Sequence, residues 1–140
     1  MYGWLNAAVV KNVKVAGATV KGNHNVAVIA GNLETSGCTV ENCHVSGATV
    51  ECYHKNSDAC GDKAAIIVAY AGNAGTPVKN CTATNSTVKA GRDAGQIVGA
   101  AKEANVTDCS ATNVTVSVME GCNHSNAGGN IRNEVIGRLL

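Results

Sequence analysis

Phenylalanine is absent from this chain of 140 residues, tryptophan occurs once, and three tyrosines bring the aromatic share to only 3%. Valine, alanine and cysteine supply most of the apolar content instead, which excludes a core of bulky rings and suits thin, stacked strands. Charge is scarce and balanced, with 11 Lys plus Arg against 10 Asp plus Glu. That balance leaves no electrostatic footprint for nucleic acid or for an anionic membrane. No apolar run approaches the ~18 residues of a spanning helix, so membrane insertion is not expected. The opening "MYGWLNAAVV" has no basic region ahead of a hydrophobic one, so the sequence reads either as intracellular or as the mature part of an exported protein.

What is present is repetition. The chain is one domain's worth, 45% hydrophobic, with 16 Gly and many Asn and Thr. "VKNVKVAGATV" at 10–20, "VENCHVSGATV" at 40–50, "VKNCTATNSTV" at 78–88 and "VTDCSATNVTV" at 106–116 align without a gap. Their third position is Asn12, Asn42, Asn80 and Asp108, and their eighth is Gly17, Gly47, Asn85 and Asn113. Gly, Asn and Asp tolerate positive φ, so two columns confined to them predict two fixed bends. The four residues between the bends alternate apolar and polar, the period of a half-buried strand. The alternation predicts inward columns Val13, Cys43, Cys81, Cys109 and Val15, Val45, Ala83, Ala111. The outward columns are Lys14, His44, Thr82, Ser110 and Ala16, Ser46, Thr84, Thr112. After the second bend an unvarying Thr-Val pair predicts an outer ladder of Thr19, Thr49, Thr87 and Thr115 over inward valines.

A second motif, "VIA" at 28–30, "IVA" at 67–69, "IVG" at 97–99 and "VIG" at 135–137, adds another strand per repeat. Block starts at 10, 40, 78 and 106 lie 30, 38 and 28 residues apart. A period of ~20 to 50 residues made of brief strands and bends indicates a solenoid. The expectation is all-β: one domain over 1–140, a parallel β-helix of about four coils stacked ~4.8 Å apart. Residues 1–15 align on 97–111, so the first and last segments share one phase, with Trp4 and Leu5 at one end and Leu139 and Leu140 at the other as lids or as contacts of a homo-oligomer.

The segment "AGQIVGAAKEANVTDCSATNVTVS" at 94–117 resembles the GLUG-type repeat, in which a Gly-apolar-apolar-Gly stretch precedes an apolar-x-Asn-Cys strand and a closing Val. Residues 65–88, 26–50 and the opening segment are further copies, the first with Val13 in place of Cys. Such repeats are typical of bacterial surface and secreted proteins, so the resemblance implies an extracellular or cell-surface scaffold or adhesion module with a carbohydrate or protein ligand.

Seven cysteines need an account. Cys43, Cys81 and Cys109 fit packing in the inward column. Of the other four, three fall in two inserts, 51–65 and 117–134, beside histidines: Cys52, His54 and Cys60 in one, Cys122 and His124 in the other; Cys38 lies outside both. Thiolate and imidazole suit zinc, although the spacing matches no known signature, and in an exported protein Cys52 and Cys60 are close enough in sequence for a disulfide. The leading expectation is that these residues hold no metal and that no cofactor is bound. Catalysis is not expected either: Asp58 and Asp62 with Lys63 are the nearest approach to a glycosidase-like carboxylate pair. The insert edge bracketed by Tyr53 and Tyr70 is the first place expected for any ligand; the hydroxyl-rich outer face is a further one, although threonine also simply suits exposed strand positions. Asn-x-Ser/Thr sequons begin at Asn80, Asn85, Asn105, Asn113 and Asn123 and follow from Asn and Thr richness alone.

Overall fold

The computed structural model describes residues 1–53, 62–119 and 130–140. It is all-β, and its strands form four parallel sheets. Strands β1 (Tyr2–Leu5), β5 (Ala30–Leu33), β10 (Val68–Ala71), β14 (Val98–Ala101) and β18 (Ile136–Leu139) make the first sheet. The second holds β2 (Val9–Lys11), β6 (Thr39–Glu41), β11 (Val78–Lys79) and β15 (Val106–Thr107). In the third, β3 (Lys14–Ala16) and β4 (Thr19–Gly22) pair with β7 (His44–Ser46) and β8 (Thr49–Cys52). These pair in turn with the long β12 (Thr82–Ala90), which neighbours β16 (Ser110–Val118). A fourth, short sheet of β9 (Lys63–Ala64), β13 (Asp93–Ala94) and β17 (Asn130–Ile131) escaped the sequence reading.

The register across the repeat blocks is unbroken. Val10 pairs with Val40, Val40 with Val78, and Val78 with Val106, while Thr19, Thr49, Thr87 and Thr115 pair in the same succession. Backbone hydrogen bonds tie each repeat to the next, from His44 N to Val13 O at 2.8 Å, Thr82 N to Cys43 O at 3.0 Å and Ser110 N to Cys81 O at 3.1 Å. All eight predicted bend residues have positive φ, from 49° at Asn85 to 68° at Gly17. A single left-handed residue turns each strand without breaking its pairing to the repeats above and below, because Asn and Asp stabilise that conformation with short polar side chains and Gly meets no Cβ clash.

The inward columns pack as their alternation predicts. Cys43, Val45, Cys81 and Ala83 are buried, while Val13, Val15, Cys109 and Ala111 are half-buried because each has a neighbouring repeat on one side only. In the first sheet β5 and β14 are buried along their whole length.

Its register corrects one detail of the second motif. Ala30 lies opposite Val68, and Val68 opposite Val98, so the equivalent of "IVA" at 67–69 is residues 29–31, not 28–30. Two small residues in succession, Ala30 and Gly31, hid the step; at Gly31 an added Cβ would run into the backbone carbonyl oxygens of Gly3 and Asn25. A slip of one residue turns each side chain to the other face of a sheet. Leu5 joins the core, whereas Trp4 is 69% exposed and does not lie over it as a lid.

Candidate functional site

Parallel pairing of β3, β7 and β12 sets the two outward columns side by side on one face. There they wall an open groove of about 230 Å³ whose polar lining comes from Lys14, His44, Ser46, Thr82 and Thr84. The small side chains of Ala16 and Ser46, just before the Gly17 and Gly47 bends, leave its floor low beside the taller Lys14 and His44 column. His44, Ser46, Thr82 and Thr84 are half-buried.

The imidazole of His44 is fixed from both sides. Its Nε2 lies 2.9 Å from Asn42 Oδ1, an oxygen that only accepts, so Nε2 carries the proton. Its Nδ1 lies 2.8 Å from Thr82 Oγ1 and, in the neutral ring, accepts that hydroxyl's hydrogen. Asn42 is itself a rung of an amide ladder: it donates to Asn12 at 2.6 Å and accepts from Asn80 at 3.3 Å. The bend column thus braces the groove wall.

Charges on the neighbouring columns are spent within the fold. Lys11 and Lys79 flank Glu41 at 2.7 and 3.9 Å, and Lys21 meets Glu51 at 2.7 Å. The hydrogen bond from Lys11 holds the Glu41 carboxyl below the usual carboxylate range. Lys14, by contrast, has no carboxylate in ion-pair distance among the described residues. The outer ladder beyond the second bend is loose, with Thr87 Oγ1 3.5 Å from Thr49 Oγ1.

The thiol column is regular. Each Sγ faces the carbonyl two residues earlier and one on the preceding repeat: Cys43 faces Glu41 and Val10, Cys81 faces Lys79 and Val40, and Cys109 faces Thr107 and Val78. All three are free thiols. A hydrogen bond from Cys81 lowers the Cys109 thiol's pKa, and the same contact together with burial raises that of Cys81.

At the insert edge, Cys52 is a buried free thiol that donates to Asn23 O at 3.3 Å, and burial pushes it up to about 11. It is neutral at pH 7, so binding a metal there would first release that proton. His54, Cys60, Cys122 and His124 lie outside the described residues, and so does Asp58. Among the described residues no three His, Cys, Asp or Glu side chains gather as a metal cluster. Asp62 is bound by Lys63 at 2.7 Å and Arg92 at 3.4 Å, while Lys63 also sits 5.3 Å from the centre of the Tyr70 ring.

Beyond the sequence reading, Asp93 is a fully buried carboxylate with Arg138 at 3.5 Å and Arg92 at 3.9 Å, on the unrecognised fourth sheet between Lys63 and Asn130. Asn105, read as a sequon, is a buried anchor whose Nδ2 shares its two hydrogens among Ala71 O, Asn73 O and Thr76 Oγ1 at 2.7, 2.8 and 3.0 Å. That nitrogen has no room for a glycan. In comparisons with family models, curated proteins and solved structures, nothing matches this chain.

Proposed function

We propose that the protein is a non-catalytic repeat scaffold, a parallel β-helix of about four coils that presents its hydroxyl-rich outer face to a carbohydrate or protein ligand outside the cell. The observation that carries this reading is the gap-free register of the repeat blocks, which turns scattered Ser, Thr and Asn residues into ordered outer columns. Likeness to GLUG-type repeats supports the location and the adhesive role. A glycan and surface-protein array tests it, with every spot also assayed for new reducing ends or unsaturated products. Binding without product formation is expected; products formed from a glycan contradict the non-catalytic reading.

A second reading, self-association through the outermost strands, is favoured by exposed Tyr2, Trp4 and Val9 on one side and Val118 and Leu139 on the other. Light scattering across a concentration series would show mass rising with concentration if it holds and a constant mass if it does not.

A further inference from the structure

We infer that the groove across β3, β7 and β12 binds an acidic sugar residue, with Lys14 pairing to its carboxylate or sulfate and the Ser46 and Thr84 hydroxyls bonding its ring substituents. This rests on the interaction-module reading and names the ligand class for the same face.

Unspent bonding capacity points to it. Lys14 is a cation without a carboxylate partner among the described residues, although Lys11 in the adjacent outward column and Lys21 farther along the same repeat are each paired at 2.7 Å. Among the described residues no acidic side chain lines the groove. Ser46 and Thr84 are half-buried, and their hydroxyls have no hydrogen-bond partner among the described residues. Thr82 gives its hydrogen to His44, which leaves its oxygen free to accept from a ligand hydroxyl. A half-buried hydroxyl without a partner has lost part of its water, so a ligand that supplies the bond gains more there than at an open strand position.

The choice between acidic and neutral sugar follows from what the groove lacks. Among the described residues it contains no aromatic ring on which an uncharged sugar face can stack. Specificity therefore has to come from hydrogen bonds and charge, and a neutral sugar would leave the Lys14 ammonium unanswered. At about 230 Å³ the groove is smaller than the ~300 Å³ at which drug-sized pockets begin, which fits one sugar residue with its acidic substituent. Nucleotides are disfavoured because the groove offers no ring for a base.

The test is calorimetry and amide-shift mapping on the full chain at low and high salt, with four probes: a hyaluronate tetrasaccharide, its carboxyl methyl ester, a sulfated disaccharide and inorganic sulfate. The inference predicts that the acidic sugars shift the His44, Ser46 and Thr84 amides and that the ester binds about tenfold more weakly. Lys14→Gln should lose about the same factor for the acid and little for the ester, while Lys102→Gln, exposed just after β14 and away from the groove, leaves both unchanged. Lys14 is exposed, so its variant keeps the fold, checked by an unaltered circular dichroism spectrum. Equal binding of acid and ester overturns the acidic-sugar inference while leaving the interaction module standing. Sulfate alone binding as tightly as the oligomers overturns the sugar half. Sugar-induced shifts confined to residues outside the groove overturn the site.

Discussion

Eight residues set the shape of the repeats by adopting a conformation that most side chains resist. Gly47 isolates that cost, since its φ is +63° and an added Cβ would come no nearer than 3.7 Å to Gly17 N. Gly47→Ala should destabilise the fold by about 1–2 kcal/mol, the conformational penalty alone, measured by denaturant unfolding. Gly47→Asn should cost far less, because Asn85 and Asn113 occupy the equivalent bend with φ of 49° and 53°.

Thiol chemistry gives two more tests at this scale. Cys109 is half-buried and acidified by Cys81, so iodoacetamide should label it well before Cys43 or Cys81, followed by peptide mass mapping. Cys52 rises from the ordinary 9.0 to about 11, so the folded state holds its proton more tightly than the unfolded chain. Its contribution is whole below pH 9.0 and lost as pH climbs toward about 11, on the order of 3 kcal/mol at about 1.4 kcal/mol per unit. Cys52→Ala should flatten that part of the stability profile. The bends were legible because a conformation with φ above zero admits few residue types; Asn105 was not, because nothing in a local Asn-Val-Thr announces three distant hydrogen-bond acceptors.

At the level of strands, parallel pairing makes side-chain ladders, and the charged ones alternate. Register places Lys11, Glu41 and Lys79 in one column and Lys21, Glu51 and Lys89 in another. Glu41→Lys would put three like charges at adjacent rungs ~4.8 Å apart. The expected result is a lower melting temperature at low salt that recovers toward wild type in about 1 M salt, where the screening length falls to ~3 Å. Wild type should show far less salt dependence.

The same strands show where pattern reading fails. An eleven-residue block repeated four times fixes its own register, but the shorter apolar motif could slide, and at 28–30 it slid by one residue. The two-residue strands β9, β13 and β17 carry too few residues for any periodicity to register. Their buried Asp93 was hidden with them.

For the whole molecule, small residues explain how so little aromatic material suffices. Val, Ala, Ile and Cys stacked over one another fill a narrow interior, with the middle two repeats covered on both sides and the first and last on one. The groove belongs to this scale as well: Lys14, His44 and Thr82 are separated by 30 and 38 residues, the intervals at which the repeat block recurs. Their columns were legible, whereas the concavity was not, because it depends on how the bends set neighbouring strands. The fold is expected to stand when the Lys14 side chain changes, with only binding of the proposed ligand lost.

The most direct test of the stacking is nuclear magnetic resonance of scalar couplings transmitted through hydrogen bonds. Cross-peaks are predicted from the His44 amide to the Val13 carbonyl, from Thr82 to Cys43, from Ser110 to Cys81 and from Thr87 to Ala48. Couplings linking each amide instead to a carbonyl four residues earlier, or to partners in antiparallel order, would contradict the parallel, in-register account.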